Sequence, residues 1–190
     1  IAKRGHLGFT VPAFNVRGLA FDFARAIFRE AMDANAGPFV FEIARGEMDY
    51  CDLWPEEFAP MVLAAAIAEN YHGPVFLQAD HTQVHADRFA NPETRDAELR
   101  AMEDLMTRAL ANDFYNIDID ASTLVDLSQS SIIEQQRDNI VVTDHFAQFI
   151  RSHEPAHISV SIGAEVGEIG KSNTTEEELK ELLHGLREIF

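Results

Sequence analysis

Short apolar runs alternate five times with longer amphipathic segments along this chain, and few architectures other than repeated βα units accommodate that rhythm. The runs are Phe9 to Val16, Phe39 to Ala44, Val75 to Ala79, Phe114 to Ile119 and Ile158 to Ile162, each short enough for a buried parallel strand. Helical patterns fill the intervals from Leu19 to Asn35, Pro55 to Tyr71, Pro92 to Asn112, Ser131 to Glu154, and Thr175 onward. Phe23, Ile27, Phe28, Ala31 and Met32 make the apolar stripe of the first helix, which Gly37-Pro38 ends. Thr174 and Thr175 ahead of Glu176, Glu177 and Glu178 give the last helix an N-cap and acidic residues that suit its dipole. No linker, low-complexity tract or short repeat marks a boundary, so residues 1–190 read as one domain.

Two architectures take five βα units: a doubly wound open sheet, or the first five-eighths of a closed barrel. Asn15, Glu42, Asp80-His81, Asp118 with Asp120, and Glu165 all fall at or just past the C-terminal ends of successive strands. In a flat sheet, at about 4.8 Å per strand, the outermost of five ends lie roughly 19 Å apart and cannot share one small substrate. Closing the sheet brings them round a single mouth. An open nucleotide-binding sheet also wants a glycine-rich first turn, whereas Asn15-Val16-Arg17-Gly18-Leu19 holds one glycine. The expected fold is therefore α/β, a (β/α)8 TIM barrel of which this chain holds about the first five units and stops short of the final strands. It opens on Ile1 rather than Met, which points to further sequence upstream.

Composition narrows the functional classes. Fifteen basic against 32 acidic residues give a formal charge of -17, which repels nucleic acid and anionic membrane, so neither is an expected partner. A lone Cys51 leaves no internal disulfide framework and fits a reducing cytoplasm. No apolar stretch approaches the roughly 20 residues of a membrane span, and the N-terminus lacks a signal-peptide core.

Asp80-His81, where the run Pro74-Val75-Phe76-Leu77-Gln78-Ala79 stops, is the pair on which chemistry is expected. α/β folds place their sites at C-terminal strand ends. On a regular strand neighbours point to opposite faces, so both residues serve one site only if the strand breaks at Asp80. The blander alternative is an aspartate capping the next turn beside a solvated histidine.

Four segments carry a family resemblance: Val11-Pro12-Ala13-Phe14-Asn15-Val16, Gln78-Ala79-Asp80-His81, Ile119-Asp120-Ala121-Ser122-Thr123-Leu124, and Gly163-Ala164-Glu165-Val166-Gly167-Glu168-Ile169-Gly170. In order and spacing they resemble the class II fructose-bisphosphate aldolases and the related tagatose-bisphosphate aldolases. The resemblance implies reversible, zinc-dependent cleavage of a ketose 1,6-bisphosphate to dihydroxyacetone phosphate and glyceraldehyde 3-phosphate, with another divalent metal as an alternative. It implies a phosphorylated sugar substrate, a place in glycolysis or related carbohydrate metabolism, and a cytoplasmic homo-oligomer, dimer or tetramer. By the same analogy His81 is a metal ligand and Glu165 a carboxylate near the metal able to act as an alternative ligand. Asp80 takes the C4 hydroxyl proton in cleavage, and Asp120 supports the ligands from behind. Ala121 and Thr123 stand where the family's aspartate-glycine-serine-histidine stretch has glycine and histidine. Lys171-Ser172-Asn173 replace the acidic residues of a mobile loop, leaving Glu168 as the nearest candidate to move the proton on the enediolate carbon. The family's two further histidine ligands come from later strands.

The chemistry is consistent with these residue types. A carbanion next to a carbonyl needs either a metal or a Schiff-base lysine. The three lysines, Lys3, Lys171 and Lys180, lie outside the apolar strands, which disfavours the lysine route. His85, four residues beyond His81, would share a metal only on a helix, and Thr82-Gln83-Val84 is poor helix sequence. His145, His153 and His184 lie in helix patterns, and His157 precedes strand five at the wrong end, so these are expected at the surface. Too few cysteines are present for a structural zinc site. Glu42 either faces the mouth or simply meets solvent. Glu47, Asp49 and Asp52 read as a solvated acidic loop, and Tyr50 with Trp54 as a packed lid or subunit contact. Two other functions remain open: a non-catalytic aldolase-like subunit, and another barrel enzyme on sugar phosphates such as an epimerase or isomerase.

Overall fold

The computed structural model describes residues 10–167 and 173–187. Five strands form one parallel sheet in the order β1-β2-β3-β4-β5: β1 (Ala13–Asn15), β2 (Val40–Ala44), β3 (Phe76–Gln83), β4 (Asn116–Asp120) and β5 (Ser161–Ala164). Sequential order excludes the doubly wound alternative, in which the chain reverses direction across the sheet. The helices are α1 (Ala20–Asp33), α2 (Arg45–Cys51), α3 (Pro55–Ala68), α4 (Ala86–Ala90), α5 (Arg95–Ala111), α6 (Ile132–Gln135), α7 (Arg137–His153) and α8 (Glu176–Arg187). Every expected strand is present, though β1 is shorter, β5 begins three residues later, and β3 runs four residues past its expected end. No described helix is long and apolar enough to cross a membrane.

The chain packs as two compact units, one within Ile1–Asp80 and Arg108–Ile117, the other within His81–Thr107 and Asp118–Phe190. In the first, β2 alternates as its pattern dictates: Phe41 and Ile43 are fully buried while Glu42, between them, lies on the opposite face. Phe28 of α1 packs its ring against Phe39, Phe41 and Tyr71 at centroid distances of 5.8, 5.0 and 4.7 Å. Helices α1 and α3 are tied at their rims by Arg25 and Arg29, which donate to the Glu69 carboxylate at 2.6 and 2.9 Å. Hydrogen bonds from Arg29 and Arg25 hold the Glu69 carboxyl below the usual carboxylate range.

Two short helices were not legible in the hydrophobic pattern, and the first corrects the reading of the acidic loop. Residues 45–51 form α2, and Glu47 in its first turn is only 9 % exposed. Its carboxylate accepts from Asn15 Nδ2 at 2.8 Å, from Arg17 at 2.9 Å and from the backbone N–H of Ala44 at 3.0 Å. Glu47 is therefore the clamp between the end of β1 and the β2–α2 turn. A carboxylate there also complements the positive end of the helix. Trp54 packs within the same unit, with the Arg108 guanidinium 4.2 Å over its ring.

In the second unit, α5 and α7 supply the apolar faces, with Met102, Met106, Phe146 and Ile150 fully buried. The long expected helix over 131–154 divides at Gln136, which is turned inward at 2 % exposure. Thr175 and Glu178 close a capping box at the start of α8: the Glu178 carboxylate accepts from the Thr175 N–H at 2.6 Å, and the Glu178 N–H donates to the Thr175 hydroxyl at 3.2 Å. Glu98 on α5 is buried and accepts the His85 backbone N–H at 3.0 Å, with Arg88 at 3.5 Å, fixing the turn after β3.

Candidate metal centre

Strand β3 does not stop at Asp80. It continues to Gln83 through a local kink at His81, whose φ of 40° lies in the left-handed region. For a non-glycine residue that conformation carries strain of about 1–3 kcal/mol, held in place by its surroundings. The effect on the strand is legible in burial. Leu77 and Ala79 are buried ahead of the kink, and Thr82 and Val84 after it, so the inward alternation slips by one residue. Asp80 and His81 together occupy the gap. The break expected at Asp80 thus falls one residue later, as a backbone twist within the strand.

In β4, the sequence Asn116-Ile117-Asp118-Ile119-Asp120 alternates strictly. Ile117 and Ile119 are buried in the core, which puts Asp118 on the opposite face. A strand built this way spends poor β-formers on one face, a local conflict of the kind that marks functional positions. Glu165 follows directly on β5. Donor atoms of His81, Asp118 and Glu165 all lie within 4.8 Å of one another. His81 is exposed, while the two carboxylates are half-buried. One imidazole and two carboxylates match the donor chemistry of divalent-metal sites, and two negative charges offset a divalent cation.

Behind this cluster stands Asp120, 2 % exposed. Its Oδ1 accepts from the Ser122 hydroxyl at 2.6 Å and the Ser122 N–H at 3.2 Å. Its Oδ2 accepts from Gln83 Nε2 at 2.8 Å and lies 3.4 Å from His81 Nδ1. A proton on Nδ1 completes that contact and leaves Nε2 as the nitrogen with a lone pair for a metal. The Thr82 hydroxyl donates to the Asp118 carbonyl, and the Val84 N–H to the Asp120 carbonyl at 2.9 Å, so β3 and β4 are pinned together just after the kink.

Glu165 is held from the helix side. Asn139, fully buried on α7, donates its amide to the Glu165 carbonyl at 2.9 Å, and Gln136 donates to the Val166 carbonyl at 2.7 Å. Asn139 also bonds Gln136 Oε1 at 2.9 Å and accepts from the Thr143 hydroxyl at 3.3 Å. Asn139→Leu leaves these buried groups without partners, and urea unfolding is expected to show a loss of about 1–3 kcal/mol. An unchanged midpoint would show that the network contributes nothing to holding this strand end.

Asp80 accepts from Gln78 Nε2 at 3.0 Å, and the same amide reaches Glu42 Oε2 at 3.2 Å. Register explains the row: Glu42 pairs with Gln78 and Ala44 with Asp80 across β2 and β3. Glu42 is therefore half-buried and joined to Asp80 through a shared donor rather than simply meeting solvent. His85 lies outside the metal cluster, with its Nδ1 3.4 Å from Glu98. His145 pairs with Glu103 at 2.9 Å on the surface. Glu168 lies outside the described residues.

The sequence places Asp118 at the mouth without giving it a metal role, although two isoleucines at period two put it opposite the core; the structure brings it beside His81 and Glu165. Gln136 and Asn139 had no signal of their own, since a polar helix residue is ordinarily solvated.

The family model described as fructose-bisphosphate aldolase class-II matches residues 2–186. The chain belongs to the class II fructose-bisphosphate aldolase family. Among solved structures, a probable tagatose 6 phosphate kinase from Sinorhizobium meliloti 1021 superposes with a TM-score of 0.69 at 16% identity, over 96% of this chain. At that identity the likeness is one of fold. The chain spans 44% of that structure's length. No curated protein sequence matches it.

Proposed function

We propose that this aldolase-family chain carries part of a (β/α)8 barrel that cleaves a ketose 1,6-bisphosphate, fructose- or tagatose-bisphosphate, to dihydroxyacetone phosphate and glyceraldehyde 3-phosphate in a metal-dependent, reversible reaction. The observation that carries the reading is the His81, Asp118 and Glu165 cluster on three successive strands, with Asp80 one residue before the exposed imidazole. Family membership supports it. The barrel is supported by the sequential parallel sheet and the likeness of fold.

His81 and Glu165 are the proposed holders of zinc, with Asp120 orienting the imidazole through Nδ1. When bound, the metal supplies Lewis-acid stabilisation of the negative charge that develops on the ketose half as its C3–C4 bond breaks. Asp80 accepts the C4 hydroxyl proton, the C4 oxygen becomes the aldehyde carbonyl, and the bonding pair remains on the ketose half. In condensation Asp80 returns the proton. Gln78, donating to Asp80 and Glu42, holds the Asp80 carboxylate in place for that transfer. Glu168 is proposed to move the proton on the three-carbon product. The protein is proposed to act as a homo-oligomer.

The test is triose formation from fructose- and tagatose-1,6-bisphosphate, measured before and after chelation and again with zinc restored. Triose release that is lost on chelation and regained with zinc is expected. Isomerisation without carbon–carbon cleavage would place the protein among other sugar-phosphate enzymes, and inactivity toward all of these would favour a non-catalytic subunit.

A further inference from the structure

We propose that Asp118 is a third metal-binding side chain in this protein and that Gly163 makes room for it, so that a divalent first-row cation is held by one imidazole and two carboxylates. The proposal rests on the metal-dependent reading above and adds a ligand and a positioning residue to it.

Position, distance and space support it separately. Asp118 faces away from the core between Ile117 and Ile119, and its carboxylate shares the 4.8 Å cluster with His81 and Glu165. Its backbone is anchored by the Thr82 hydroxyl, one residue after His81, so the two side chains are referenced to the same pair of strands. Oδ2 of Asp118 is shielded from solvent, where a cation is attracted more strongly than in water. On β5, two residues before Glu165, stands Gly163. A Cβ at that position would collide with Asp118 Oδ1, and would lie 3.3 Å from its Cγ and 3.4 Å from its Cα.

The pattern of that collision decides what the glycine does. Contact with the Asp118 backbone would be ordinary, so alanine need not separate the strands. The obstructed atom is the end of a rotatable side chain, which escapes by turning its carboxylate. Gly163→Ala should therefore redirect Asp118 at little cost to folding. Glycine here sets where a ligand points. Gly46 in α2 is the contrast, since a Cβ there meets nothing within 4 Å.

Ligand chemistry follows from the set. Imidazole selects against magnesium and calcium, which prefer oxygen donors alone, and two carboxylates suit zinc, manganese or ferrous iron.

The experiment is equilibrium binding of cobalt(II), followed by its visible absorption, with zinc competition, on the chelator-treated protein and on Asp118→Asn, Gly163→Ala, their double variant, His81→Ala and Gly46→Ala. Thermal unfolding of each variant reports folding. Asp118→Asn and Gly163→Ala are expected to weaken binding about 10- to 100-fold. Both should change the cobalt spectrum and keep a near-normal unfolding midpoint, while Gly46→Ala binds normally. Because the glycine acts through the aspartate, the double variant should bind no worse than Asp118→Asn. Wild-type affinity in Asp118→Asn alongside loss in His81→Ala would overturn the third ligand and leave the metal reading standing. Additive losses in the double variant would overturn the positioning role of Gly163. Absence of binding by the unsubstituted protein would overturn both the third ligand and the metal reading.

Discussion

Asp80→Ala is expected to lower the rate of aldol cleavage by roughly 10² to 10⁴ while leaving metal binding largely intact, the range for loss of a positioned acid or base. The reason is the division of labour along four residues of β3. Asp80 is bonded to Gln78 and outside the His81, Asp118 and Glu165 cluster, whereas His81 is inside it. Removing the Asp80 carboxylate takes away the proposed acceptor for the C4 proton and none of the clustered donors. Gln78 retains Glu42 as an acceptor, so the row of polar groups on this face stays satisfied. Metal content measured beside cleavage of the same preparation separates the cases. Near-normal turnover would move proton transfer elsewhere, with Glu168 the first residue to test. Loss of metal together with activity would make Asp80 a ligand or a structural support, and its catalytic role would fail.

His81→Ala is expected to lose metal and activity together, with cleavage falling by about 10³ or more, because several kcal/mol of charge stabilisation depend on the bound cation. The surrounding structure should tolerate the change. Asp120 keeps Gln83 and Ser122 as donors when the imidazole is gone, so no buried carboxylate is stranded. The positive φ at this position complicates alanine, which adopts it at some cost. His81→Gly removes the imidazole and accepts the backbone angle freely. Equal loss of metal in the two variants assigns the effect to the ring. Full zinc affinity in His81→Gly would show that the ligand assignment is wrong.

Periodicity and punctuation are local properties, and through them the sequence by itself determined the five βα units, their order of appearance and the capped start of α8. Apolar residues two apart must share a face of a strand, and apolar residues three and four apart a face of a helix, whatever surrounds them. The motif containing Asp80-His81 and that containing Glu165 were legible for the same reason, as polar residues placed where apolar runs stop. The family was legible from four such segments in order. What only the tertiary structure decided depends on residues far apart in the chain. Glu47 looked like one of several solvated acids until Asn15 and Arg17 converged on it from β1 and the turn after it. Asn139 and Gln136 sat in a polar helix stretch until the backbone after β5 supplied the carbonyls they bind. Asp118 shows the boundary most clearly. Its alternation with two isoleucines fixes which face it occupies, but only the approach of Gly163 on β5, with no side chain in the way, brings its carboxylate beside Glu165 and His81. A strand's own sequence sets the face on which a side chain emerges. Which groups meet there is set by the neighbouring strand and its register, and by the kink at His81 that no propensity favours.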